Sequence, residues 1–270
     1  MFIRQPAVSG TFYPESKEDL VSLIDHFYKQ AAVEKFNKPP KALLVPHAGY
    51  IYSGPIAAYA YKILKGFNFT TVILIGPSHI YPPSSEAKLI ACPSGFWQTP
   101  LGQVKSLSYL DFDQLKNNQL FQESIEIHKL EHCLEVQIPF LQTVLTNFAI
   151  FPLLTNGLSK SNIEQTAEII KSILQDDTLL IVSSDLSHYL TYEEAQMVDK
   201  VTLDTILSLD LSGFEQYGDA CGKTALSLLL ALAKKCYWQP KLLKSSNSGE
   251  TAGGKEQVVG YASVAFIKNI

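Results

Sequence analysis

The run TLLIVSSDLSH, Thr178 to His188, is apolar from Leu179 to Val182 and then turns abruptly polar. A strand that is apolar at every position, rather than at every second one, is covered on both faces, as in a parallel sheet held between helices. ALLVPHAGY, from Ala42 to Tyr50, and TTVILIGPSH, from Thr70 to His79, repeat the pattern. The strands are expected at Ala42–Val45, Thr70–Ile75 and Thr178–Val182, with a fourth at Phe148–Leu153.

Helical periodicity fills the intervals. Residues 16–31 place Leu20, Leu23, Ile24 and Phe27 on one face. Ser53 can cap a helix that runs to about Lys65, with Gly66 ending it. Further helices are expected at 133–146, at Ser161–Gln175 with Ser161 as cap, near 193–207 and near 222–235. Tyr237–Leu243 and Val258–Ile267 read as two more strands. Tyr81–Leu107, rich in Pro, Gly and Ser, reads as loop and hairpin, and Lys244–Gly254 as a flexible loop. Apolar strands alternating with helices give an α/β class with a mainly parallel central sheet flanked by helices. No repeat or linker divides the chain, so 1–270 reads as a single domain.

Composition narrows the function classes. The chain has 270 residues, 46% of them apolar, and a net charge of −4. There is no basic cluster with interleaved aromatics of the kind nucleic acid requires. The opening residues lack the apolar core of a signal peptide. No apolar run approaches the roughly 18 residues that span a bilayer; the longest, Ala225 to Ala233, reads as a short buried helix. Cytoplasmic location is therefore the default, without membrane or nucleic-acid partners. Cys92, Cys133, Cys221 and Cys236 are too scattered for a disulfide framework. A phosphate loop, a dinucleotide fingerprint and a serine-hydrolase elbow are all missing from the sequence.

The chemistry is expected just past the strand ends. Val45 leads to His47, Ile75 to His79, and Val182 to Asp185 and His188. Open α/β sheets bind ligands outside the carboxyl ends of their strands. Each residue taken alone reads as an ordinary turn or capping group; their repetition at equivalent strand ends points to one cleft. His26, on a helix, and His128, in a polar segment, read as structural. Cys221 precedes the apolar helix, next to Gly222 and Lys223. A helix N-terminus and a lysine both favour thiolate, so it is the cysteine best placed as ligand or nucleophile, although a structural thiol fits the local sequence as well. In Glu131–Gln137, a helix would put Glu131 and Glu135 on one face. These carboxylates, with His132, fit either the orientation of metal ligands or a solvated helical face.

Several segments together resemble the Memo-like family, called AmmeMemoRadiSam system protein B in microbes. They are Arg4–Pro14, Val45–Tyr50 with Tyr52-Ser53-Gly54, Gly76–His79, Glu131–Gln137, Ser183–Tyr189, Cys221-Gly222 and Val259–Ser263, in the family's order. Cys133 departs from the pattern, where a small residue such as Ser is expected. The resemblance implies a fold similar to class III extradiol dioxygenases, which hold non-haem iron with two His and one carboxylate. The matching ligand set here is His47, His79 and Cys221, with a thiolate replacing the carboxylate. Iron comes first in the expected order, then copper and zinc. Asp185 and His188 would stand beside the metal as catalytic residues, His188 in the acid/base position and Asp185 orienting it or joining the metal. Because the thiolate changes the chemistry, dioxygenase activity does not transfer directly. Two functions remain open: a metal-dependent enzyme with redox or oxygen-related chemistry, and a binding or metal-handling module. The second rests on eukaryotic relatives linked to receptor-derived phosphopeptides, which implies a peptide ligand. The microbial name implies radical-SAM and AMMECR-type partner proteins.

Overall fold

The computed structural model describes residues 2–80, 88–155 and 157–268. Among these, the elements run β1 (Phe2–Arg4), α1 (Lys17–Gln30), β2 (Ala42–Val45), α2 (Tyr50–Lys62), β3 (Thr71–Pro77), β4 (Leu89–Ala91), β5 (Gly95–Thr99) and β6 (Gly102–Ser106). They continue with β7 (Phe121–Glu123), α3 (Ile125–Leu130), α4 (Ile138–Val144), β8 (Ala149–Thr155), α5 (Lys160–Ile173), β9 (Thr178–Ser183) and β10 (His188–Leu190). The last are α6 (Tyr192–Leu207), α7 (Leu211–Tyr217), α8 (Lys223–Cys236), β11 (Trp238–Asn247), α9 (Ser248–Thr251) and β12 (Val258–Lys268).

The sheet order is β1-β5-β6-β8-β3-β9-β2-β12-β10, with β11 also on β12 and β4 on β8 and β7. From β6 through β8, β3 and β9 to β2 all pairings are parallel. The α/β class is as the apolar runs indicate, but the sheet is mixed. Beyond β2 the pairings of β12 with β2, β10 and β11 are antiparallel. Antiparallel neighbours need no helical crossover, and β11 returns to β12 through little more than the single turn of α9.

Alternate side chains of β2 feed opposite faces. Leu43 and Val45 join Leu20, Ile24, Ala57 and Phe140 in one core. Ala42 and Leu44 join Ile73, Phe151, Ile170 and Leu228 in the other. Both faces are covered, which is why these strands are apolar throughout.

Several local expectations shift. Helix α2 starts at Tyr50 with Gly49 as N-cap; Ser53 lies inside it and donates to the Ala48 carbonyl at 2.8 Å. The cap of α5 is Ser159, which accepts from the Asn162 amide, rather than Ser161. Segment 133–146 divides into a 3-10 turn at Glu135–Gln137 and then α4. Pro139 lies in the first turn of α4, where its missing N–H costs least. Glu131 instead ends α3, so Glu131 and Glu135 share no helical face. Both are buried, which removes the solvated-face reading. Lys244–Gly254 is ordered at its start: β11 continues to Asn247 against Gly260, and α9 follows. Cross-strand pairing supplies there an order that small polar residues do not signal locally. The expected hairpin is β5–β6, while residues 81–87 of the Tyr81–Leu107 stretch fall outside the described residues.

Candidate functional site

Strands β3, β9 and β2 are sheet neighbours, so their carboxyl ends deliver His79, Asp185 and His47 to one place. Cys221 comes from the turn before α8. One ligand atom from each of His47, His79 and Cys221 lies within 4.8 Å of the others. The Cys221 Sγ is 3.2 Å from His47 Nε2, and the His47 and His79 rings meet edge-on at 5.2 Å.

The hydrogen bonds fix which imidazole nitrogen is free. Ser183 Oγ donates to the Cys133 carbonyl at 2.7 Å and accepts from Gln137 Nε2 at 2.8 Å. With its proton committed, Ser183 can only accept from His47 Nδ1 at 2.9 Å. His47 therefore carries its proton on Nδ1 and presents a lone pair at Nε2. Gln137 is held in turn by the Tyr61 hydroxyl, which donates to Oε1 at 2.7 Å. Glu131 does the same for His79. Its Oε1 accepts from His79 Nδ1 at 2.9 Å, and its Oε2 accepts from the His79 amide at 2.6 Å. Asp185 secures the His47 loop, accepting from the His47 amide at 2.7 Å.

Close packing holds these loops together. A Cβ on Gly76 would stand 2.7 Å from Cys133 Sγ, and one on Gly222 would stand 2.7 Å from Ser184 Cβ. Only glycine lets β3 pack this closely on Cys133, and the Cys221 turn on Ser184. Arg4 and Glu135 form a fully buried ion pair at 2.6 Å. Arg4 also donates to the carbonyls of His128 and Glu131, and Glu135 accepts from the Ala7 and Val8 amides and the Tyr13 hydroxyl. The opening segment Arg4–Pro14 is thus bonded to the segment that holds His79. Glu135 makes none of its bonds to the histidine–cysteine cluster.

Burial governs the charge state. It holds His47 well below its ordinary range, with the neighbouring histidines adding to the effect. Burial also lowers His132 and His188. For His79 burial pulls down, but the hydrogen bond and charge of Glu131 outweigh it and leave the imidazole raised. Glu131 falls to about 2 because its bonds to His79 overcome its own burial. Asp185, buried, rises to about 7. The Cys221 thiol is pushed up to about 12 by burial and by Asp185. Without a bound metal, the local features expected to favour thiolate are therefore outweighed: Lys223 Nζ donates to the Gly218 carbonyl at 2.9 Å, and burial exceeds the effect of the helix end.

His188 arrives from β10, beyond β12. The Leu186 carbonyl accepts from its Nδ1 at 2.8 Å, leaving Nε2 as the basic nitrogen. This carbonyl, rather than Asp185, orients the ring. His188, Asp185 and His132 line a cleft of about 480 Å³. His132 stacks on His79 at 4.7 Å. Arg4, Tyr13, Gln137 and Ser183 lie in segments that carry the family resemblance, but their anchoring roles have no local signal, because each includes a bond to a partner at least 46 residues away. All four cysteines are free thiols. Among the described residues no helix is long and apolar enough to cross a membrane.

The family model described as Memo-like protein matches residues 4–265. A MEMO1 family protein of Thermoplasma volcanium is 36% identical over 99% of this chain and 100% of its own length. MEMO1 family proteins of Sulfurisphaera tokodaii and Pyrobaculum arsenaticum are 34% and 33% identical, each over 98% of this chain and 99% of its own.

Proposed function

The chain belongs to the Memo-like family, and from that premise we propose that it is a metal-dependent protein with redox or oxygen-related chemistry, its metal held by His47, His79 and Cys221. One observation carries this reading: both imidazoles are locked as Nδ1–H donors, to Ser183 and Glu131, which reserves Nε2 of each as the ligand atom; at His47 that atom now meets the Cys221 thiol at 3.2 Å, whose proton a metal would displace. That arrangement is how metal-binding histidines are commonly oriented. Two imidazoles and a thiol suit iron, copper or zinc, with iron our first choice. Bound iron would supply Lewis acidity and one-electron redox chemistry. His188, neutral and with Nε2 free over the cleft, accepts a proton from substrate. Asp185 keeps the His47 loop in place. A dioxygenase-like ancestry, cytoplasmic location and radical-SAM and AMMECR-type partners belong to the same proposal, and co-purification from a native host tests the partners.

The metal assignment is tested by elemental analysis after chelator-free purification. Wild type should carry about one transition metal per chain, with His47→Ala and Cys221→Ser depleted. Equal content in all three would overturn it. His188→Ala should keep the metal and lose oxygen consumption with reductant; unchanged consumption would remove His188 from the chemistry.

A further inference from the structure

Tyr189 has a φ of 60°. Of the other described non-glycine residues with positive φ, Leu209 and Tyr237 end helices, where a left-handed residue is the usual terminator, and Asn147 lies in the bend between α4 and β8, where asparagine tolerates this conformation. Tyr189 instead lies inside a strand. His188 pairs with Val259 and Leu190 with Val258, so Tyr189 is the extra, unpaired residue of a bulge. The bulge turns His188 into the cleft, as bulges beside active sites commonly do. Glycine would adopt this φ freely, whereas an L side chain costs about 1–2 kcal/mol there. The Tyr189 ring does little to offset that cost, since the residue is 71% exposed. Neither the bulge nor the fold's own packing accounts for a tyrosine here.

The ring stands on the rim of the cleft over His188, which it meets at 5.8 Å and 67°. Phe12, Tyr52 and Tyr261 line the same cleft. No Lys or Arg is among the cleft's described lining residues, and residues 81–87, which follow His79 and Ile80, read YPPSSEA without a cation. Asp185, an acidic residue, is part of the lining. Phosphate and carboxylate sites are ordinarily built from arginine or lysine. Aromatic walls without a cation suit a flat, uncharged group.

We propose that this cleft receives an uncharged aromatic ring, either a free phenol or an unmodified tyrosine side chain, clamped by Tyr189 above His188. The proposal rests on the cleft being the ligand site of the function above, but needs no metal, so it is tested on metal-stripped protein. Three probes are titrated by calorimetry or ligand-observed NMR: 4-methylphenol, a short tyrosine peptide and the same peptide phosphorylated. Both neutral probes should bind, with the phosphorylated peptide at least tenfold weaker. A peptide tighter than the phenol identifies a polypeptide ligand; equal affinities identify a small molecule. Tyr189→Phe should keep binding, and Tyr189→Gly should weaken it by about 3–10-fold, the worth of one ring pair, with an unchanged circular dichroism spectrum. Tighter binding of the phosphorylated peptide, no binding of either neutral probe, or wild-type affinity in Tyr189→Gly would each overturn the proposal. Metal content measured on the same proteins as purified, before stripping, keeps the two readings apart: wild type that carries no metal as purified, yet binds the ring, counts against the metal reading alone.

Discussion

His47 and His79 leave the sheet from parallel strands buried on both faces, whereas His188 leaves it from a three-residue antiparallel edge strand. The first pair is held by side chains fully inside the protein: Ser183, Gln137 and Glu131. The second region turns on a backbone bulge and one left-handed residue. The contrast suggests a division of labour. Groups that must keep a fixed spacing stand on the rigid centre, and groups that meet a variable ligand stand on the edge.

Removing Arg4 should strain the centre most. Its guanidinium and the Glu135 carboxylate are both fully buried, so Arg4→Ala strands a charge, at a cost of about 3–5 kcal/mol. Urea denaturation should show this as a large fall in midpoint. A loss under about 1 kcal/mol would mean that the opening segment does not anchor the centre.

The same contrast explains what could be read from sequence. The strands ending before His47, His79 and Asp185 are continuous apolar runs, and that pattern is local. Their adjacency in the sheet follows from α/β topology. Cys221 entered from the family resemblance and from its place before α8; its contact with His47 lies 174 residues away in sequence. The antiparallel wing carries less local signal. β10 is three residues, HYL, with no periodicity to detect, and its bulge depends on pairing with Val258 and Val259. The polar tail of β11 is ordered by its partner β12 rather than by its own composition. Glu131 and Glu135 look equivalent on a helix; the break at the end of α3 sends one to His79 and the other to Arg4.

His128 extends the test of the buried side to acid pH. Its carbonyl accepts from Arg4 Nε at 2.7 Å, and its ring donates from Nε2 to the Ile90 carbonyl at 2.9 Å, with Nδ1 buried and unpartnered. Burial depresses the imidazole to about 4. The unfolded chain, with an ordinary value near 6.5, takes up the proton first. The residue's contribution is therefore complete above pH 6.5 and is lost as pH falls towards 4. A shift of that size is worth up to about 3 kcal/mol. His128→Gln should lose correspondingly less stability between pH 7 and pH 4.5. Parallel losses in both proteins would show that other groups drive the acid transition.

Glu131→Gln strains the join between anchor and site. The amide can still accept a hydrogen bond from His79 Nδ1 but brings no charge. Metal affinity should fall by about 10–100-fold, read by competition with a chromophoric chelator. Unchanged affinity would mean that packing alone orients His79.

The smallest effect separates two tyrosines that share a backbone conformation. Tyr189 and Tyr237 have φ values of 60° and 56° and are 71% and 81% exposed. Glycine at either position releases about 1–2 kcal/mol of left-handed strain and costs about 0.5–1 kcal/mol through the freer unfolded chain. Each Tyr→Gly variant should therefore lie from about wild-type stability to about 1.5 kcal/mol above it, by urea denaturation at pH 7. At Tyr237 nothing further is expected, because the residue terminates α8, where glycine is common. At Tyr189 the same neutral stability should accompany the loss of ring binding. If Tyr189→Gly is instead destabilised by more than about 1 kcal/mol relative to Tyr237→Gly, the ring is holding the edge strand in place. The antiparallel wing would then be secured by side chains as the parallel centre is, and the division between the two would not hold.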